Sequence, residues 1–289
     1  MKHLLSLFAL SLAFLPLSAQ DVSAAPERAE LPAIMRDAAC GQVLVCCEVD
    51  GTPLRLLLDT GATHTVIDAK AAKAKLPDAK KLDTTGMQFN SSSSQVRPDI
   101  LIVSLAAGGR TFAQQPVLVL PLDGVTAMLK TPVDGILGMD VLKYLTFTLD
   151  FRDGCAGQWS APQDGEVFPL KARPDEGFCP LLSLKAGDKE LHNILLDSGS
   201  SLTVLTVADW PAGVAETRTA HVADVNGARA QGISVGTPGP VELSPGLTVT
   251  VRPQLSETRR PDVNGLLGVD ALRGLRLVYT PERGFYLVK

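Results

Sequence analysis

Two aspartates in this chain stand in the same small setting. Asp59 is preceded by Leu56-Leu57-Leu58 and followed by Thr60-Gly61-Ala62, and Asp197 is preceded by Ile194-Leu195-Leu196 and followed by Ser198-Gly199-Ser200. An apolar strand that delivers a carboxylate into a tight turn is costly to bury unless the turn supplies hydrogen bonds to it. Two such acids suggest a pair. Carboxyls that meet cannot both ionise readily, so they share a proton and divide into one acid and one base. Only Asp197 is offered a nearby side-chain hydroxyl, Ser200, at the position where the first loop has Ala62. The expectation is that Asp197 ionises more readily and Asp59 more often carries the shared proton. The four histidines are scattered, and His64 and His192, which border the acid turns, are read as surface or satisfied loop residues. No Cys/His spacing points to a metal, so no metal and no cofactor are expected.

The elements that position these acids recur in the same order. Residues 43–49 form a β-branched and apolar run, Asp50-Gly51 is a hairpin turn, and residues 54–58 return to Asp59. Residues 181–184, a turn at Gly187-Asp188 and residues 191–196 lead likewise to Asp197. Residues 68–75 are expected as a short helix. Residues 84–97, with Ser91 to Ser94, read as a polar hairpin, and 221–232 as its counterpart with an Asn226-Gly227 turn. Each half closes alike, on Asp134-Gly135-Ile136-Leu137-Gly138-Met139-Asp140 and on Asn264-Gly265-Leu266-Leu267-Gly268-Val269-Asp270. Acid and closing glycine are about 80 residues apart in the first half and about 70 in the second, the mark of an internal duplication joined through a Gly/Pro-rich segment near 154–174.

Few aromatics, plentiful Val, Leu, Gly and Pro, and no recurring amphipathic helical pattern predict an all-β chain. Residues 1–19 read as a secretory signal with a cut after Ala19, so an exported protein, periplasmic or extracellular, is expected, with no stable membrane insertion. The net charge of −4 becomes one unit more acidic once Lys2 is removed, which disfavours nucleic acid as a partner. Residues 20–37 look like a mobile leader. The cysteines are Cys40, Cys46, Cys47, Cys155 and Cys179. Cys46 and Cys47 are strand neighbours that face opposite ways, so at least one is expected to be an ordinary buried thiol. A staple among Cys40, Cys155 and Cys179 is compatible with their positions, and the pairing stays open.

Asp-Thr/Ser-Gly after an apolar strand, with apolar-apolar-Gly downstream, twice in one chain, resembles the aspartic proteases of the pepsin-like and retropepsin-like group. That resemblance implies two similar β-barrel-like lobes, residues 38–157 and 166–289, joined by 158–165 and related by a pseudo-two-fold axis with a cleft between them. It implies Asp59 and Asp197 as the catalytic dyad, acting on a water without a covalent intermediate or metal. Thr60 and Ser198 would lock the two loops across the axis, with Gly61, Gly199 and Ser200 positioning the carboxylates. Gly138 and Gly268 would pack beneath the acid loops as structural glycines. The implied function is an endopeptidase, a monomer acting on extended polypeptide. A catalytically silent module of the same fold that binds extended polypeptide is the alternative. The pepsin-like enzymes carry a flap tyrosine, whereas residues 84–97 hold no aromatic except Phe89, and Tyr144, Tyr279 and Tyr286 lie elsewhere. Ala62 follows the retropepsin pattern and Ser200 the pepsin one.

Overall fold

A computed structural model of the chain describes residues 41–83, 98–152, 156–175, 177–224, 227–257 and 262–289, with short strands at Leu10–Ser11, Val22–Ala24, Met35–Arg36 and Asn90–Ser91. The signal sequence and leader, apart from those short strands, lie outside the described residues. So do Cys40, Cys155, Asn226 and most of 84–97. The molecule is nearly all β, with 52% strand against 12% helix.

In the first half, strand Val43–Val49 pairs antiparallel with Thr52–Leu58 through a turn in which Asp50 and Gly51 both have positive φ. Alternation of buried and outward residues along these strands places Leu54, Leu56 and Leu58 in the core. Leu56–Leu58 then pairs in parallel with Gly135–Leu137, which lies antiparallel to Val66–Asp68. Val66–Asp68 runs parallel to the end of Arg110–Leu120, which pairs back with Asp99–Ala107, and Asp99–Ala107 closes onto Val43–Val49. The result is a closed six-stranded barrel without edges of its own. The expected short helix is Ala69–Lys75, whose first N–H groups, Lys70 and Ala71, donate to the Asp68 carboxylate at 2.9 and 3.1 Å.

The second half repeats the centre of this arrangement. Ile194–Leu196 pairs in parallel with Gly265–Leu267, Val204 is antiparallel to Leu266, and Val204–Thr206 runs parallel to Gln254–Ser256. It does not close. Arg252 and Pro253 separate Leu247–Val251 from Gln254–Ser256, and proline has no N–H to continue a ladder. Gln254–Ser256 pairs instead with Gly227–Gly236, and the sheet stays a curled half-barrel. Gly227–Gly236 and Val214–Asp224 form a long antiparallel hairpin where the sequence predicts one, and this hairpin lies against helix Asp123–Leu129 of the first half.

A third sheet ties the halves together. Phe147–Asp150 from the first half pairs with Arg276–Thr280, which pairs with Gly284–Val288 at the end of the chain. Phe147 stacks on Tyr279 with ring centroids 5.5 Å apart, and Phe285 closes the cluster at 4.6 Å from Tyr279. The largest buried cluster therefore runs unbroken from Val43 to Leu287 through both halves. Among the described residues no helix is long and apolar enough to cross a membrane.

Candidate active site

Each acid leaves its strand at the point where the closing strand of the same half ends. The Asp59 N–H donates to the Leu137 carbonyl at 3.1 Å, and the Asp197 N–H donates to that of Leu267 at 3.0 Å. Both acids are buried, 2% and 1% exposed, and their carboxyls hydrogen-bond to one another. The Gly61 N–H donates to Asp59 Oδ1 at 2.8 Å. A Cβ on Gly61 would lie 2.6 Å from the Asp197 Cγ, and one on Gly199 would lie 2.4 Å from Asp59 Oδ2. The glycine of each loop thus faces the acid of the other, and any side chain there would displace a carboxyl.

Thr60 and Ser198 form a closed clasp between the loops. Thr60 Oγ1 donates to the Leu196 carbonyl at 2.7 Å and accepts from the Ser198 N–H at 3.0 Å. Ser198 Oγ donates to the Leu58 carbonyl at 2.9 Å and accepts from the Thr60 N–H at 3.0 Å. Donor and acceptor capacity of both hydroxyls is engaged, and all four bonds are buried.

Beneath the loops Gly138 and Gly268 are packed against backbone. A Cβ on Gly138 would come within 2.6 Å of His64 main-chain atoms, and one on Gly268 within 2.5 Å of Leu202. Two residues beyond each glycine stands an acid whose role the repeat did not reveal. Thr65 Oγ1 donates to Asp140 Oδ1 at 2.8 Å and accepts from the Gly138 N–H at 3.2 Å. Thr203 Oγ1 donates to Asp270 Oδ1 at 2.7 Å and accepts from the Gly268 N–H at 3.2 Å. Gln115 Nε2 adds a bond to Asp140 Oδ2 at 2.9 Å. The signal was present, since Thr65 and Thr203 share one offset from their acids and Asp140 and Asp270 share one offset from their glycines.

Burial is the main influence on the pair. It raises Asp59 to about 6 against the lowering effect of its backbone hydrogen bonds. Asp197 is raised well above the ordinary carboxylate value, first by burial and then by the charge of Asp59. Asp197 Oδ1 is buried and has no hydrogen-bond partner among the described residues. Both carboxyls are thus held above the ordinary value, and the pair keeps one proton between them.

The hydroxyl that led the sequence to predict a more acidic Asp197 does not bond to it. Ser200 Oγ donates to the Leu202 carbonyl at 2.9 Å, a local turn bond that competes successfully with Asp197 for the hydroxyl. It is the Ser200 N–H that lies against the Asp197 carboxyl. Ser200→Ala is accordingly expected to cost about 1 kcal/mol of stability, read by denaturant unfolding, and to leave both limbs of a pH–rate profile in place. A shift of either limb in the folded variant would show that the hydroxyl does reach the dyad.

His64 Nδ1 is 2.8 Å from Thr63 Oγ1, and the exposed His192 lies 3.2 Å from Ser183 Oγ and 3.4 Å from Glu190. Cys47 is buried and Cys46 partly so, on opposite faces of their strand, and Cys46, Cys47 and Cys179 are free thiols. Among the described residues no three His, Cys, Asp or Glu side chains converge in a way that could hold a metal ion.

The match to known proteins falls on the first of the two halves. A family model described as aspartyl protease matches residues 45–141, from within strand Val43–Val49 to just past Gly138. Over this third of the chain the protein is similar to aspartyl proteases. A search of curated proteins finds no match.

Proposed function

We propose that the protein is an aspartic endopeptidase in which Asp59 and Asp197 activate one water molecule against a peptide carbonyl. The observation that carries this is the meeting of two buried carboxyls from opposite halves, hydrogen-bonded to one another, on loops clasped together by Thr60 and Ser198. Ionised Asp59 takes a proton from the water as it attacks, and protonated Asp197 donates to the carbonyl oxygen. A proton is then passed to the leaving nitrogen. Both acids come from one chain, so a monomer suffices. Extended polypeptide is the substrate, lying between the lobes beneath the hairpin Val214–Asp224/Gly227–Gly236, with strand-like hydrogen bonds to it.

The test is incubation of the full chain with a mixed peptide library across the pH range, beside Asp59→Asn. Because only the singly protonated pair is competent, kcat/KM should rise as pH passes through about 6 and fall again when Asp197 loses its proton. The two limbs are apparent values of the pair. An optimum far below pH 6 with no acid limb would exclude this protonation scheme. Cleavage retained by Asp59→Asn, or no cleavage at all by the wild type, would exclude the enzyme.

A further inference from the structure

Just ahead of strand Val43–Val49 the chain touches the other half. A Cβ on Gly41 would lie 3.3 Å from Val269 Cγ2, and Gln42 is 0% exposed. Gln42 Nε2 donates to the Gly199 carbonyl at 3.0 Å, while its Oε1 is buried with no hydrogen-bond partner among the described residues. A buried amide with half its capacity unmet is costly, so the bond it does make is what the position retains.

That bond falls on a particular peptide unit. The Gly199 carbonyl and the Ser200 N–H are opposite ends of one planar group. The Ser200 N–H donates to the Asp197 main-chain carbonyl at 3.3 Å and also faces the Asp197 carboxyl. A donor on the carbonyl end fixes the plane and polarises the amide, which makes the N–H a stronger donor at the other end.

Among the described residues the first acid loop receives nothing comparable. Leu44 pairs with Leu57, so Gln42 stands level with Asp59; Leu181 pairs with Leu195, so Cys179 stands level with Asp197. Cys179 is thus the counterpart of Gln42. It is a buried thiol, a weak donor, and burial pushes its pKa further up.

We propose that Gln42 is a positioning residue for Asp197, reaching from one lobe to hold the Gly199–Ser200 peptide of the other so that its N–H meets the carboxyl. The role rests on the dyad described above and makes the two acid loops unequal. It favours the ionised form of Asp197, so removing the donor should make that carboxyl harder to ionise.

Gln42→Met keeps the length and loses the donor. Titration of 13C-labelled aspartate carboxyls by NMR should show the upper apparent pKa of the pair raised by about half a unit or more with the lower one in place. With a peptide substrate, kcat should fall by about threefold to tenfold while KM stays within about twofold, and the alkaline limb should move to higher pH. Gln42→Glu should work near the wild-type rate while its carboxyl is protonated and can donate to Gly199, and should lose rate as that carboxyl ionises. An unmoved upper pKa in folded Gln42→Met overturns the proposal. Should Gln42→Met not fold, a wild-type-shaped profile for Gln42→Glu overturns it equally. The carboxyl titration needs no turnover, so a wild type that cleaves no peptide would sink the enzyme reading while the NMR result still decides the role of Gln42.

Discussion

Asp59→Asn and Asp197→Asn should each abolish the proposed peptide hydrolysis while leaving the protein folded and, above neutrality, more stable than the wild type. The activity follows from the proton inventory: one base and one acid are required, and an amide at either position supplies neither. The stability follows from linkage. Asp59 has its pKa raised from 3.8 to about 6 in the folded state. The unfolded chain thus releases its proton first, and as pH rises from about 4 to about 6 the native state loses stability relative to it. A shift of about two units corresponds to about 3 kcal/mol at most. Above pH 6 the wild type carries this penalty and Asp59→Asn does not; below the unfolded-state value both are neutral and the difference disappears. Thermal melts at about pH 8 and at about pH 3 should therefore differ: several degrees in favour of Asp59→Asn at the first and almost none at the second. A variant that melts lower at pH 8 would mean that burial of the charge is not the main influence on the site, and residual turnover near the wild-type rate would remove Asp59 from the mechanism.

Breaking the clasp should have the next largest effect. Thr60→Val preserves shape but strands the Leu196 carbonyl and the Ser198 N–H, and Ser198→Ala strands the Leu58 carbonyl and the Thr60 N–H. These groups are buried, with Thr60 and Ser198 at 0% and 1% exposure, so water does not replace the lost partners. Each stranded group costs about 1–3 kcal/mol, which places each variant about 2–6 kcal/mol below the wild type in denaturant unfolding. Thr60 and Ser198 directly follow the acids in the chain, so loosening either loop also misplaces a carboxyl, and kcat should fall by about tenfold or more. Thr60→Ser, which keeps the hydroxyl, is the control and should restore most of both quantities. If Thr60→Val is as stable and as fast as Thr60→Ser, the clasp does not hold the site.

The pairing of the two acids was legible because the chain writes it twice. Leu-Leu-Asp-Thr-Gly and Leu-Leu-Asp-Ser-Gly, each followed at similar distance by apolar-apolar-Gly, carry the period-two and turn chemistry of a strand running into a tight loop. The all-β class, the strand pairs ahead of each acid, the helix after Asp68 and the long second-half hairpin follow from such local patterns. Three features did not, because each depends on what lies across a lobe boundary or on a choice between near neighbours. Closure of the first barrel and not the second turns on where Arg110–Leu120 runs on and Pro253 interrupts, a difference of pairing partners many residues away. The Ser200 hydroxyl had two acceptors within reach, and only the turn geometry decided for Leu202. Gln42 carries no motif, since a glutamine before a strand is unremarkable until the fold sets it against Gly199, 157 positions away. Sequence alone thus determined which residues could form a shared-proton pair, because that is a property of residue type and local order. That both are held back from ionising was decided by tertiary structure, because their burial and the hydrogen bonds around them exist only once the halves have met.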